Sequence, residues 1–199
     1  MKHIYMKPEE NQPIYLLLHG TGGDENDLIP LVQMFNPSAG ILSVRGEVNE
    51  QGMNRFFKRL SPGVFDLEDL EKRTADLYAF LIEAGKNYDF DVNELIAIGY
   101  SNGANIAASL LMHKGAVIQG AVLMHPMVPR RDIESADLSN LKVLITAGKR
   151  DAICPELESK ELDVILSNAG TNVQLTWFPG GHEICKPEIE TIKEWLKVF

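Results

Sequence analysis

The sequence predicts an α/β fold, a mainly parallel central sheet with helices on both faces. Three observations carry that expectation. Short apolar runs bounded by turn-forming residues recur along the chain, and patterns with apolar residues three and four apart fall between them. Strands alternating with helices build parallel sheets through right-handed crossovers. The runs are apolar at nearly every position, as in strands covered on both sides. The polar, glycine-rich loops at 19–24, 99–103, 148–154 and 179–183 all follow such runs. They gather on one sheet edge, where open α/β sheets bind ligands.

Ile14-Tyr15-Leu16-Leu17-Leu18 is the first run, and it leads into His19-Gly20-Thr21-Gly22-Gly23-Asp24. That loop is suited to bringing backbone N–H groups close to a ligand. Leu28, Leu31, Val32 and Phe35 mark a helix face, and Pro30 fits only the first turn of that helix. Residues 40–44 read as the next strand. Residues 45–65 form a long connection, expected to be irregular and functional or mobile. Asp66 caps a helix in which Leu67, Leu70, Thr74, Leu77, Leu81 and Ala84 make one buried stripe, with Gly85 near its end.

Residues 95–98 are the strand before Gly99-Tyr100-Ser101-Asn102-Gly103, and the helix behind this turn buries Ile106, Ala107, Leu110 and Leu111. Residues 121–124 and 143–147 are further strands, followed by His125-Pro126-Met127 and Gly148-Lys149-Arg150-Asp151. A helix from about Pro155 to Ala169 stops at Gly170. Residues 173–177 alternate as a strand and end in the turn Pro179-Gly180-Gly181-His182-Glu183. Pro187 opens the last helix, with Ile189, Ile192, Trp195 and Leu196 inward.

At 199 residues, one domain over 1–199 is expected. A hydrophobic content of 45% with 24% charged residues is that of a globular chain and argues against disorder. The net charge of −9 argues against a nucleic-acid partner and against adsorption to anionic lipid. No stretch reaches the ~18 apolar residues of a membrane span, and the segment from Met1 to Pro8 lacks the apolar core of a leader. Cys154 and Cys185 are too few for a disulfide scaffold or a zinc site. A reduced, cytoplasmic protein without a metal or organic cofactor is expected.

A lone Gly-x-Ser-x-Gly is a weak signal, but here an apolar strand precedes it and a helical pattern follows. A serine hydroxyl is a poor nucleophile and needs a base within hydrogen-bond reach. Of five histidines, His19, His125 and His182 fall at the correct edge. The chain order Ser…Asp…His that accompanies this turn selects His182. His19 then reads as a buried ring bonded to its own loop. Asp151, three residues past a strand end, is the acid expected to orient the imidazole. Backbone N–H groups of Thr21 and Asn102 are the expected oxyanion donors.

These residues resemble a known family. Leu18-His19-Gly20-Thr21-Gly22, the Gly99–Gly103 turn, Asp151 and Gly181-His182-Glu183 are similar to the phospholipase/carboxylesterase branch of the α/β-hydrolases. Ser43-Val44-Arg45-Gly46, Arg55-Phe56-Phe57 and the segment from His125 to Arg131 resemble most its bacterial hydroquinone-specific carboxylesterase subgroup. The resemblance spans essentially the whole chain. It implies an α/β-hydrolase fold with no separate cap domain, the triad Ser101, Asp151 and His182, and the oxyanion hole of Thr21 and Asn102. Acyl-protein thioesterases of this branch carry Gln after the serine, where this chain has Asn102. A homodimer is implied by the resemblance alone.

The expected activity is therefore a serine carboxylesterase acting on small carboxylic esters, aromatic ones included, through an acyl-serine. Two alternatives share the sequence: an acyl-thioesterase or lysophospholipase with the same triad, and a non-catalytic quinone- or redox-linked binding module. Met53, Phe56, Phe57 and Phe65, with Met127 and Ile153 after strand ends, are the candidate apolar wall for substrate. Arg45, Arg55, Lys58 and Arg59 form a basic cluster, read first as solvated surface and second as a receptor for an anionic substrate. Cys154 and Cys185 each lie three residues past a triad candidate, which places a redox pair beside the default of inert thiols.

Overall fold

A computed structural model describes residues 1–199. The strands are β1 (His3–Met6), β2 (Ile14–Leu18), β3 (Gly40–Val44), β4 (Val48–Glu50), β5 (Met53–Arg55), β6 (Arg59–Ser61), β7 (Val64–Phe65), β8 (Leu95–Tyr100), β9 (Gly120–Met124), β10 (Lys142–Gly148) and β11 (Asn172–Phe178). The helices are α1 (Ile29–Phe35), α2 (Leu67–Tyr88), α3 (Asn102–Lys114), α4 (Glu156–Asn168) and α5 (Lys186–Trp195). The central sheet has seven strands in the order β1-β3-β2-β8-β9-β10-β11. Only β1 runs antiparallel to its neighbour; every other pairing in this sheet is parallel.

Because side chains alternate across a strand, each continuously apolar run feeds both faces. Leu16, Leu18, Leu42, Ala97, Leu123 and Ile145 pack on one side with residues of α2, α3 and α4. Tyr15, Leu17, Ile41, Ile98, Val122 and Leu144 pack on the other with α1, α5 and Leu196. Asp66 caps α2 as expected, accepting the Asp69 N–H. No helix is long and apolar enough to cross a membrane.

One expectation is corrected and one strand is added. The 45–65 connection is not irregular: β4 pairs with β5 and β6 with β7 in two small antiparallel hairpins. The first turns at Gln51 and Gly52, both at positive φ, which matches the twist of the flanking strands. Strands of two or three residues are too short to carry a period-two signal. β1 also went unread. It is a half-buried edge strand held by contacts distant in sequence, with Tyr5 stacked on Tyr88 at 4.1 Å and His3 Nε2 bonded to the Tyr88 hydroxyl at 2.7 Å.

Candidate active site

Ser101 sits between β8 and α3 at φ 51° and ψ −112°, a conformation disfavoured for a side-chain-bearing residue. What imposes it is close packing of the turn. A Cβ at Gly99 would stand 2.6 Å from the Gly103 carbonyl oxygen, and one at Gly103 would overlap the Leu18 carbonyl. The serine makes no capping bond to α3. Its Oγ instead lies 2.9 Å from His182 Nε2.

His182 Nδ1 is 2.7 Å from Asp151 Oδ2. The other Asp151 oxygen accepts the N–H groups of Ile153 (2.9 Å) and Cys154 (2.8 Å). Burial works against the Asp151 charge, but the Cys154 N–H and the neighbouring imidazoles hold its carboxyl below the ordinary carboxylate value. The structure thus brings together Ser101, His182 and Asp151 from the ends of β8, β11 and β10. Tyr100 O–H donates to the His182 carbonyl at 2.8 Å and fixes the histidine loop. Burial, with Asp151 and Glu188 close by, pushes the Tyr100 phenol up to about 12, so it remains a donor at neutral pH.

The loop after β2 is braced from several sides. His19 is buried and bonded to its own loop as expected: Nδ1 donates to the Gly20 carbonyl (2.6 Å), and Nε2 accepts the Gly46 N–H (3.0 Å). Burial lowers its ring below the ordinary imidazole value, matching the neutral tautomer those two bonds require. The first hairpin supplies the rest. Gly22 N–H donates to the Asn54 carbonyl (2.9 Å), the Asn54 amide to the Gly23 carbonyl (2.9 Å), and Arg55 Nη1 to Thr21 Oγ1 (2.7 Å). The Thr21 N–H has no protein acceptor. The Asn102 N–H is at the first position of α3, where helix donors lack intrahelical partners. The Asn102 side chain accepts the Phe56 N–H at 2.7 Å, tying the hairpin to the serine turn.

The expected apolar wall divides. Phe56 and Phe57 are 1% and 0% exposed and belong to the main core, so their assignment to substrate is corrected. They carry the hairpin on the core, and no ligand reaches a ring that is fully enclosed. Met53 and Ile153 are exposed, and Met127 and Phe65 are half-buried. Phe65 lines a cavity of about 400 Å³ with Val64, Leu67, Val128 and Pro129.

The basic cluster is largely paired with acidic neighbours, with Arg55 enclosed and Lys58 exposed. Arg45 pairs with Asp24 and Glu25. Arg55 is 4% exposed beside Glu50, which Arg59 also contacts, and Lys58 lies near Asp69. Both cysteines are free. Burial pushes the Cys154 thiol up, far from the reactive thiolate range.

Sequence reasoning passed over His125 as a participant, gave Arg55 only a place in the basic cluster, and missed Tyr100 and Glu188. His125 Nδ1 is 3.0 Å from the same Asp151 oxygen that His182 contacts. The two histidines and Asp151 bring ligand-type atoms within 4.8 Å of one another. Both Nδ1 atoms, however, converge on that single oxygen at hydrogen-bond distance, so the group reads as a proton-bonded cluster rather than a metal centre.

A serine on a strand–turn–helix elbow, facing histidine and aspartate at the carboxyl edge of a parallel sheet, defines the α/β-hydrolase class. Within that class the chain belongs to the dienelactone hydrolase family, whose model matches residues 56–190. The chain is 51% identical to MhqD of Bacillus subtilis (strain 168) over 197 residues, 99% of this chain and 98% of that protein. The crystal structure of the Bacillus cereus carboxylesterase superposes with a TM-score of 0.97 at 53% identity, covering 100% of this chain and 95% of that one. A carboxylesterase from Mesorhizobium loti gives 0.89 at 31% identity, covering 94% and 90%. The expected kinship with carboxylesterase-type hydrolases is borne out.

Proposed function

We propose that this hydrolase is a cytoplasmic serine carboxylesterase acting on small carboxylic esters, aromatic ones included. The observation that carries the reading is the unbroken contact from Ser101 Oγ through His182 to Asp151. Ser101 Oγ attacks the ester carbonyl while His182 Nε2 takes its proton. The oxyanion that forms is received by the N–H groups of Thr21 and Asn102. As the C–O bond breaks, His182 gives the proton to the leaving alcohol, and an acyl-Ser101 ester remains. Water, deprotonated by His182, then hydrolyses that ester and restores the serine. Asp151 holds the His182 tautomer whose Nε2 is a free acceptor. Met53, Met127, Phe65 and Ile153 are the side chains proposed to meet the substrate.

A fluorophosphonate probe tests the mechanism, because it phosphonylates an activated serine with loss of fluoride. Wild type is expected to be labelled at Ser101 and the Ser101→Ala protein not at all. Retained labelling in the variant, or none in wild type, overturns the reading. A panel of aryl esters, alkyl esters and thioesters separates the esterase from a thioesterase. Preferential thioester turnover would replace the substrate class and leave the triad in place.

Arg55 gives a third test. Arg55→Met removes the donor that holds Thr21, so kcat is expected to fall about 10–100-fold, with a smaller change in KM. Steady-state kinetics on one ester check this, with Arg55→Lys expected to recover part of the loss.

A further inference from the structure

His125 is 1% exposed and stands between two buried carboxylates. Its Nδ1 is 3.0 Å from Asp151 Oδ2 and its Nε2 is 3.3 Å from Glu188 Oε2. Glu188, on α5, is 0% exposed. It accepts the Thr146 hydroxyl at 2.6 Å and the Cys185 N–H at 3.3 Å, so its oxygens act as acceptors. Both Glu188 oxygens already accept other donors and the second Asp151 oxygen accepts two N–H groups, so a ring protonated on both nitrogens would give each carboxylate a matching donor. Two enclosed carboxylates joined by a neutral ring would leave their charges uncompensated, a costly arrangement in a low-dielectric interior. The backbone adds a second sign of constraint. His125 is held at φ 50°, with its N–H on the Thr146 carbonyl at 2.8 Å.

Resting on the proposed roles of Ser101, His182 and Asp151, we infer that His125 is a positioning residue of the same site. It is a buried imidazolium, clamped by Glu188, that aims the shared Asp151 oxygen at His182 and keeps a fixed positive charge beside it. The ring meets Asp151 from the loop after β10, Glu188 from α5, His182 at a centroid distance of 5.3 Å and Tyr100 at 6.0 Å; Glu183 acts on it through space. Burial opposes its charge, but Glu188 and then Asp151 outweigh burial and raise it above the ordinary imidazole value.

The consequence is a pH window. A fixed positive charge 5.3 Å from His182 opposes a second one there. It also draws on the Asp151 oxygen that would stabilise that second charge. Removing the charge should move the acidic limb of the kcat/KM profile to higher pH.

The test is the pH dependence of kcat/KM on one ester for wild type, His125→Asn and Glu188→Gln. Asn tolerates the left-handed backbone at this position. In His125→Asn the acidic limb is expected to rise by about one pH unit, with plateau kcat lowered about tenfold and KM little changed. Glu188→Gln, which weakens the clamp isosterically, should shift the limb the same way by less. Variants that lose only thermal stability while both limbs coincide with wild type overturn the inference. Should His125→Asn fail to fold, Glu188→Gln and 15N NMR of the wild-type ring decide it. Both His125 nitrogens should be protonated at neutral pH, and a neutral single-proton ring overturns the proposal. Absence of fluorophosphonate labelling in wild type would instead defeat the esterase mechanism, and the NMR result would still judge the charge on His125.

Discussion

Ser101→Ala is expected to lower kcat on a short-chain p-nitrophenyl ester by about 10⁵–10⁶-fold. The size follows from what the substitution removes. In the proposed mechanism no acyl-enzyme forms without Oγ, and His182 loses the hydroxyl it contacts at 2.9 Å. What remains is the oxyanion donors and binding, which sustain about 10³–10⁴-fold over water in enzymes of this chemistry. Stability should change by no more than about 1 kcal/mol, because the lost hydrogen bond is to a ring still open to solvent. Steady-state kinetics and a thermal melt check both halves. Turnover within tenfold of wild type would remove Ser101 from the mechanism.

Gly103→Ala should be the most damaging change of a single methyl group. The new Cβ would overlap the Leu18 carbonyl oxygen and crowd the His19 carbonyl at 2.7 Å, and both are backbone atoms of the loop that carries Thr21. Neither β2 nor α3 yields without breaking the parallel pairing of β2 with β8. A loss of about 4 kcal/mol or more is expected, a large share of the about 5–15 kcal/mol that holds a domain folded. Urea unfolding measures it. Gly52→Ala is the control, since nothing lies within 4 Å of its Cβ and only the φ of +87° resists it. There the expected cost is about 1 kcal/mol. Equal midpoints for the two variants would remove close packing as the reason for Gly103.

Much of this site was legible because it is built from chain-local signals. Ser101 is marked by an apolar strand, two glycines and an alanine-rich helix, all within about a dozen residues. Asp151 follows a strand that ends in Gly148, His182 follows a strand and the turn Pro179-Gly180-Gly181, and chain order separates His182 from His19 and His125. The sheet was legible for the same reason: strands buried on both faces are continuous apolar runs. The hairpins of residues 48–65 lacked this advantage. Their strands are too short for a period, and their order comes from Phe56 and Phe57 sinking into a core made by α2, α3 and the sheet.

Sequence by itself determined the α/β architecture, the edge on which the polar loops collect, and the residue types suited to acyl transfer. Tertiary structure decided which aromatic side chains close the core and which remain near solvent. It also decided what Arg55, Tyr100, His125 and Glu188 do. None of these has a local pattern. Arg55 meets Thr21 across 34 positions, His125 meets Glu188 across 63, and Tyr100 meets His182 across 82. Hydrogen bonds of that span exist only once crossovers have brought separate strand ends together, and a linear chain carries no periodic trace of them.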